Sequence, residues 1–134
     1  MAPTAPASSD VRLSAIRQIA LTVHDLDRSV TFYRDGLGLA FLFQAPPGLA
    51  FFQCGEIRLM LSVPEKPEFD HPGSVLYFQV ADIVAAHASL VSRGVGFIDQ
   101  PHIVHRAPNY ELWMAFFKDP DGNPLALMCE KPIA

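Results

Sequence analysis

Gln18-Ile19-Ala20-Leu21-Thr22-Val23-His24-Asp25 and, 57 positions further on, Val75-Leu76-Tyr77-Phe78-Gln79-Val80-Ala81-Asp82 share one pattern. Each reads as an apolar strand ending in an Asp that is placed to cap a following helix. Each half then closes with a glycine-led strand, Gly55-Glu56-Ile57-Arg58-Leu59-Met60-Leu61 in the first and Gly122-Asn123-Pro124-Leu125-Ala126-Leu127-Met128 in the second. The period is too long for a solenoid and reads as a duplication inside one domain. A unit that cannot close its sheet alone must pair with its copy, and the seam between copies is a natural place for a ligand.

Outward from these strands the first module, about 14–63, reads as strand, helix and three strands. Ile16–Val23 is the opening strand. A helix capped by Asp25 carries Val30, Phe32 and Tyr33 on one face and is stopped by Gly36 and Gly38. Leu39–Phe43 is a short strand, and Leu49–Cys54 with Ile57–Ser62 forms a hairpin about Gly55. Residues 64–73, rich in Pro and charge, read as a linker. The second module, 74–130, repeats the order: a strand over Ser74–Val80 and a helix over Ile83–Ser92. A strand over Gly96–Asp99 and an irregular stretch over Pro101–Asn109 follow. Glu111–Phe117 and Leu125–Cys129 are then strands joined by a turn at Asp119-Pro120-Asp121-Gly122-Asn123.

The composition sets limits. At 134 residues, half of them hydrophobic, the chain makes one domain with a proper core. A net charge of −4 with no basic stripe argues against nucleic acid as a partner. No apolar run reaches bilayer-spanning length, so no membrane is expected. Residues 1–13 read as a loose tail without the basic start and apolar centre of a signal peptide. Cys54 and Cys129 sit in apolar strands and read as free thiols of a cytoplasmic protein.

Three stretches carry a family resemblance: Ile19-Ala20-Leu21-Thr22-Val23-His24-Asp25-Leu26-Asp27-Arg28-Ser29, Phe32-Tyr33-Arg34-Asp35-Gly36-Leu37-Gly38-Leu39, and Phe116-Phe117-Lys118-Asp119-Pro120-Asp121-Gly122-Asn123. With the duplicated order of elements, they make the chain resemble the vicinal oxygen chelate superfamily of glyoxalases, bleomycin and fosfomycin resistance proteins and extradiol dioxygenases. The resemblance implies an α+β fold in which two βαβββ modules curl into an incomplete barrel. It also implies a homodimer whose sites are often completed by both subunits. The family's usual chemistry has two adjacent substrate oxygens chelate a divalent ion, which acts as a Lewis acid.

Carried over residue by residue, the four metal-ligand positions of the family fall on Gln18, Leu59, Val75 and Ala126. A one-residue slip would put Met60 in place of Leu59. Only Gln18 offers an oxygen, and one neutral amide does not retain a divalent ion. The standard metal site is therefore expected to be absent and no cofactor is expected. A metal would need a non-standard site around His102, His105 and Glu111.

Other residues carry the remaining chemical candidates. His102, His105, Arg106, Tyr110 and Glu111 lie close together in sequence, leading into the strand expected to line the cavity. His102 and His105 share a face only if their segment is helical or turning; on an extended strand they point apart. They read either as acid–base groups at the cavity mouth or as solvated loop residues. Glu111 and Trp113 lie on one face of their strand. If that face lines the cavity, Glu111 is a desolvated carboxylate fit for proton transfer; otherwise it is a strand-end Glu paired with Arg58 or Arg106. Gln18 and Arg58 are polar residues in apolar strands, each read as binding a ligand or as bonded across the sheet or to solvent. Phe51, Tyr110 and Trp113 are the aromatic candidates for a wall suited to a flat or lipophilic small molecule. Two functions follow: a glyoxalase-like lyase or isomerase working on a small oxygenated substrate without the standard metal, or a non-catalytic protein that sequesters a small molecule, as bleomycin resistance members do.

Overall fold

The computed structural model describes residues 11–133. Of the expected tail, residues 1–10 lie outside the described residues, and 11–17 run without regular structure into the first strand. Strands β1 (Gln18–Thr22), β2 (Ala40–Ala45), β3 (Leu49–Cys54) and β4 (Ile57–Ser62) form one sheet in the order β1-β4-β3-β2. Strands β5 (Leu76–Gln79), β6 (His102–Arg106), β7 (Tyr110–Lys118) and β8 (Pro124–Pro132) form a second sheet in the order β5-β8-β7-β6. In both, the opening strand pairs parallel to the closing strand and the remaining pairs are antiparallel. A parallel pair needs a crossover. Helix α1 (Leu26–Thr31), running on into a π-helical turn at Phe32–Gly36, supplies it in the first module, and helix α2 (Ile83–Ser92) in the second. The fold is α+β, two open sheets rather than a closed barrel, as the resemblance implied.

Local chemistry sets the element ends. The Asp25 carboxylate accepts from Arg28 N at 3.1 Å and the Asp82 carboxylate from Ala85 N at 3.1 Å, so each repeat's terminal Asp caps its helix. Gly55 and Gly122 hold φ of +60° and +83° in the β3–β4 and β7–β8 turns, where a Cβ would strain the backbone.

Alternation along the strands divides each sheet into two faces. Leu21, Phe52, Leu59 and Leu61 of the first sheet and Ala115, Phe117, Leu125 and Leu127 of the second are buried in one core. Val30, Tyr33, Ile83 and Leu90 from the helical segments join them there. Leu61 and Leu125 are fully buried, and truncating either to Ala would cost about 2–5 kcal/mol. The intervening residues form the helix-free face of each sheet.

Two expectations for the second module are corrected. Gly96–Asp99 is not a strand; it touches the sheet through a single bridge between Phe97 and Phe117. There the Asp99 carboxylate, not a backbone carbonyl, accepts from Phe116 N at 2.8 Å, and Pro101 has no N–H with which to continue a ladder. Instead β6 forms at His102–Arg106, inside the stretch expected to be irregular. Its pairing with β7 shifts between Ile103 and His105, a bulge at Val104 that hides the alternation from the sequence.

The modules are joined by side chains of the β7–β8 turn. Tyr33 Oη donates to Asp119 Oδ2 at 2.7 Å, Ser29 Oγ to Asp121 Oδ2 at 3.1 Å, and Asn123 Nδ2 to the Thr22 carbonyl at 3.0 Å. The turn holds itself in shape because Asp119 Oδ1 accepts from the backbone N–H groups of Asp121 and Asn123. His24 N and Nδ1 both meet Asp121 Oδ1, at 3.0 and 2.9 Å, while His24 Nε2 lies 2.9 Å from Asp70 Oδ1 of the linker.

Candidate functional site

Gln18, Arg58 and Phe51 come together on the helix-free face of the first sheet. The β1–β4 register sets Gln18 beside Arg58, and the β3–β4 register sets Phe51 beside Met60. Arg58 Nε donates to Gln18 Oε1 at 2.8 Å, and its guanidinium lies 5.4 Å from the centre of the Phe51 ring. Phe43 stacks on Phe51 with ring centres 4.6 Å apart. With Nε engaged by Gln18, the guanidinium's outer N–H donors are left for a planar oxyanion. Among the described residues no carboxylate pairs with Arg58. Phe51 itself is buried, 9% exposed, while Phe43 at 46% and the Arg58 side chain are the parts of this cluster that meet solvent in the single chain.

His102, His105 and Tyr110 belong to the helix-free face of the second sheet. His102 is registered with Met114 and His105 with Leu112, two β7 residues on one face. The bulge at Val104 thus brings both histidines to the same side of an extended strand, which simple alternation would have separated. His102 Nδ1 lies 2.7 Å from the Gln100 carbonyl. A carbonyl only accepts, so Nδ1 carries a proton, and the ring in its neutral form presents a bare Nε2 as proton acceptor.

Glu111 and Trp113 lie on the opposite side. They share a face with Ala115 and Phe117, and Trp113 packs against the core. The Glu111 carboxylate accepts from Arg106 Nη1 at 3.1 Å and Trp113 Nε1 at 3.3 Å, while Lys131 Nζ sits 4.7 Å from the Trp113 ring centre. The condition for a cavity-facing Glu111 is not met; the alternative pairing with Arg106 is the one present.

The register also decides among the metal-ligand positions. Ala20 is paired with Met60 in the first sheet as Tyr77 is with Ala126 in the second. Met60, not Leu59, is therefore the counterpart of Ala126, and Leu59 points into the core. The corrected set is Gln18, Met60, Val75 and Ala126. Gln18 Nε2 lies 3.9 Å from Met60 Sδ, and the amide oxygen is engaged by Arg58. One occupied amide and one thioether do not fit a divalent cation. No group of three or more His, Cys, Asp or Glu suited to a metal is present among the described residues, around His102 or elsewhere.

The sequence over residues 15–127 matches the profile of the Glyoxalase/Bleomycin resistance protein/Dioxygenase superfamily. The chain belongs to this superfamily. Glutathione transferase FosA of Serratia marcescens is 30% identical to it over 118 residues, spanning 86% of this chain and 80% of that protein. The uncharacterized protein YraH of Bacillus subtilis is 29% identical over 119 residues, spanning 79% and 91%. Among solved structures, a lactoylglutathione lyase from Agrobacterium tumefaciens superposes with a TM-score of 0.70 at 28% identity, covering 88% of this chain and 95% of that one. A superfamily member from Sphaerobacter thermophilus shares the fold with a TM-score of 0.74 at 22% identity, covering 88% and 98%.

Sequence reasoning missed what else the superfamily turn Asp119-Pro120-Asp121-Gly122-Asn123 does. It reads as a hairpin turn, yet its side chains dock on the first module, with the Asp121 side chain only 3% exposed. Three acceptor or donor side chains in five residues were the available signal. His24, to which the sequence assigned no role, meets Asp121 from the other side of that seam. No described helix is long and apolar enough to cross a membrane.

Proposed function

We propose that this superfamily member is a cytoplasmic homodimer that takes a small, flat, anionic oxygenated molecule on the Arg58–Gln18–Phe51 platform and moves a proton within it without a divalent metal. The carrying observation is the Arg58 guanidinium, 5.4 Å from the Phe51 ring centre and bonded to Gln18, with no carboxylate partner among the described residues. A ligand carboxylate or enolate oxygen supplies the missing acceptor, and the exposed Phe43 ring, backed by Phe51, receives its planar part. His102 Nε2 is the proton acceptor: it takes a proton from carbon and returns it at the neighbouring oxygen or carbon, a net isomerisation of the glyoxalase-like kind. The two helix-free faces are exposed in the single chain, and a second copy brings the β6–β7 face of one protomer over the platform of the other. The likeness to a lactoylglutathione lyase and a glutathione transferase supports chemistry on small oxygen-bearing molecules.

A sequestering role is the second reading, favoured by the loss of ligand-type side chains at three of the four metal positions. Phenylpyruvate separates the two, because it is flat, carries a carboxylate beside a ketone, and has exchangeable benzylic protons. In EDTA the protein is expected to bind it and to speed exchange of those protons with deuterium. His102→Ala should abolish exchange and keep binding, and Arg58→Ala should weaken binding about tenfold or more. Binding without exchange leaves the sequestering role; unchanged binding by Arg58→Ala overturns the site.

A further inference from the structure

A hollow at the seam between the modules is lined by none of the candidate residues named above. It is a cavity of about 550 Å³ on the helix side of the seam, bounded by Leu37, Leu39 and Cys54 of the first module and Phe78, Leu90 and Arg93 of the second. Its size falls within the range of small-molecule sites, roughly 300–1,000 Å³. A second hollow of about 180 Å³ adjoins it and shares Cys54, Tyr77 and Phe78 with it. The walls are mostly aliphatic and aromatic, and the lining holds no acidic side chain.

Arg93 is the one charged group of the lining. It is exposed, and its Nη1 donates only a long bond, 3.3 Å, to the Gly36 carbonyl across the seam. Among the described residues no carboxylate pairs with it. An apolar hollow with a single unneutralised cation at its rim is complementary to an apolar chain that ends in one negative charge.

We infer that this seam cavity is a second binding site, separate from the Arg58 platform, for an amphipathic monocarboxylate of fatty-acid type, with the chain between the modules and the carboxylate on Arg93. The occupant bridges Leu37 and Leu39 of one module to Phe78 and Leu90 of the other, so it ties the two modules together.

Cys54 provides the reporter. Its thiol lines the cavity and is partly exposed, whereas Cys129 is 3% exposed and serves as the slow internal control. Alkylation of Cys54 by iodoacetamide at mildly alkaline pH, followed by mass spectrometry, is expected to slow saturably with added decanoate. Decanol, which has the chain without the charge, should protect about tenfold more weakly, and Arg93→Gln should erase the difference between the two. Arg58→Ala should leave decanoate protection unchanged, so failure at one site is distinguishable from failure at the other. Cys54 alkylation indifferent to decanoate, or Arg93→Gln protected by decanoate as well as the parent protein, overturns the inference.

Discussion

The Tyr33 hydroxyl donates to the Asp119 carboxylate at 2.7 Å, with Tyr33 fully buried, and so fastens the helical segment of the first module to the β7–β8 turn of the second. Burial, and then the neighbouring Asp119 charge, hold the phenol far above its usual ionisation range, so it remains a donor at any pH the fold survives. Tyr33→Phe should lower the unfolding free energy by about 1–3 kcal/mol, measured by urea titration. Asp119→Ala should cost more, since the same carboxylate also accepts from Asp121 N, Asn123 N and Asn123 Nδ2.

His24 makes stability depend on pH. Its ring bonds to Asp70 and then to Asp121 raise its pKa above the ordinary 6.5, so the protonated ring is favoured in the folded chain. The linked stabilisation is complete below the unfolded value and is lost as pH rises through the folded one. His24→Gln should therefore lag the parent most near pH 6 and converge on it under alkaline conditions. Denaturant midpoints across that range check this, and an imidazole titration by NMR at or below the ordinary value would contradict it.

Glu111→Gln should leave phenylpyruvate binding and proton exchange unchanged within about twofold, because the carboxylate lies on the helix-packed face with Arg106 and Trp113. The intrinsic fluorescence should shift, since the indole loses its charged acceptor.

Phe43→Glu puts a charge into the exposed aromatic stack of the first sheet. If the proposed dimer forms through this face, sedimentation should show a dimeric parent and a monomeric variant at the same concentration, with unchanged far-ultraviolet circular dichroism. A variant that still dimerises would remove this face from the interface.

Addition of zinc, nickel or manganese ions should leave the melting temperature of the protein within about 1 °C, as expected of a fold without a matching donor set. A stabilisation that saturates at one ion per chain would contradict the metal-independent reading.

The repeat made most of the fold legible because strand alternation and Asp caps are local signals: β3, β4 and α2 fall at Leu49–Cys54, Ile57–Ser62 and Ile83–Ser92 as read. The second module's β6 was not legible, since a bulge at Val104 and polar residues at His102, His105 and Arg106 remove the periodic pattern. Gln18 and Arg58 were both singled out as polar residues in apolar strands, but their mutual bond depends on a parallel register that connects residues 40 positions apart. The choice between Leu59 and Met60 needed the same register. Glu111 was ambiguous for a further reason: which face of a strand meets a helix is fixed by the whole sheet, not by the strand's own alternation.

The bonds that unite the modules span 86 positions for Tyr33 and Asp119, 92 for Ser29 and Asp121, and 101 for Thr22 and Asn123. Each sheet is assembled from nearer partners, so closing this seam carries the larger loop-closure cost, by about 0.6 kcal/mol for each doubling of the separation. None of the three bonds requires that its two residues belong to one chain. Were whole modules exchanged between chains, the turn of one molecule would meet Tyr33, Ser29 and Thr22 of another and preserve these three bonds, and chain concentration during folding would set the extent of exchange.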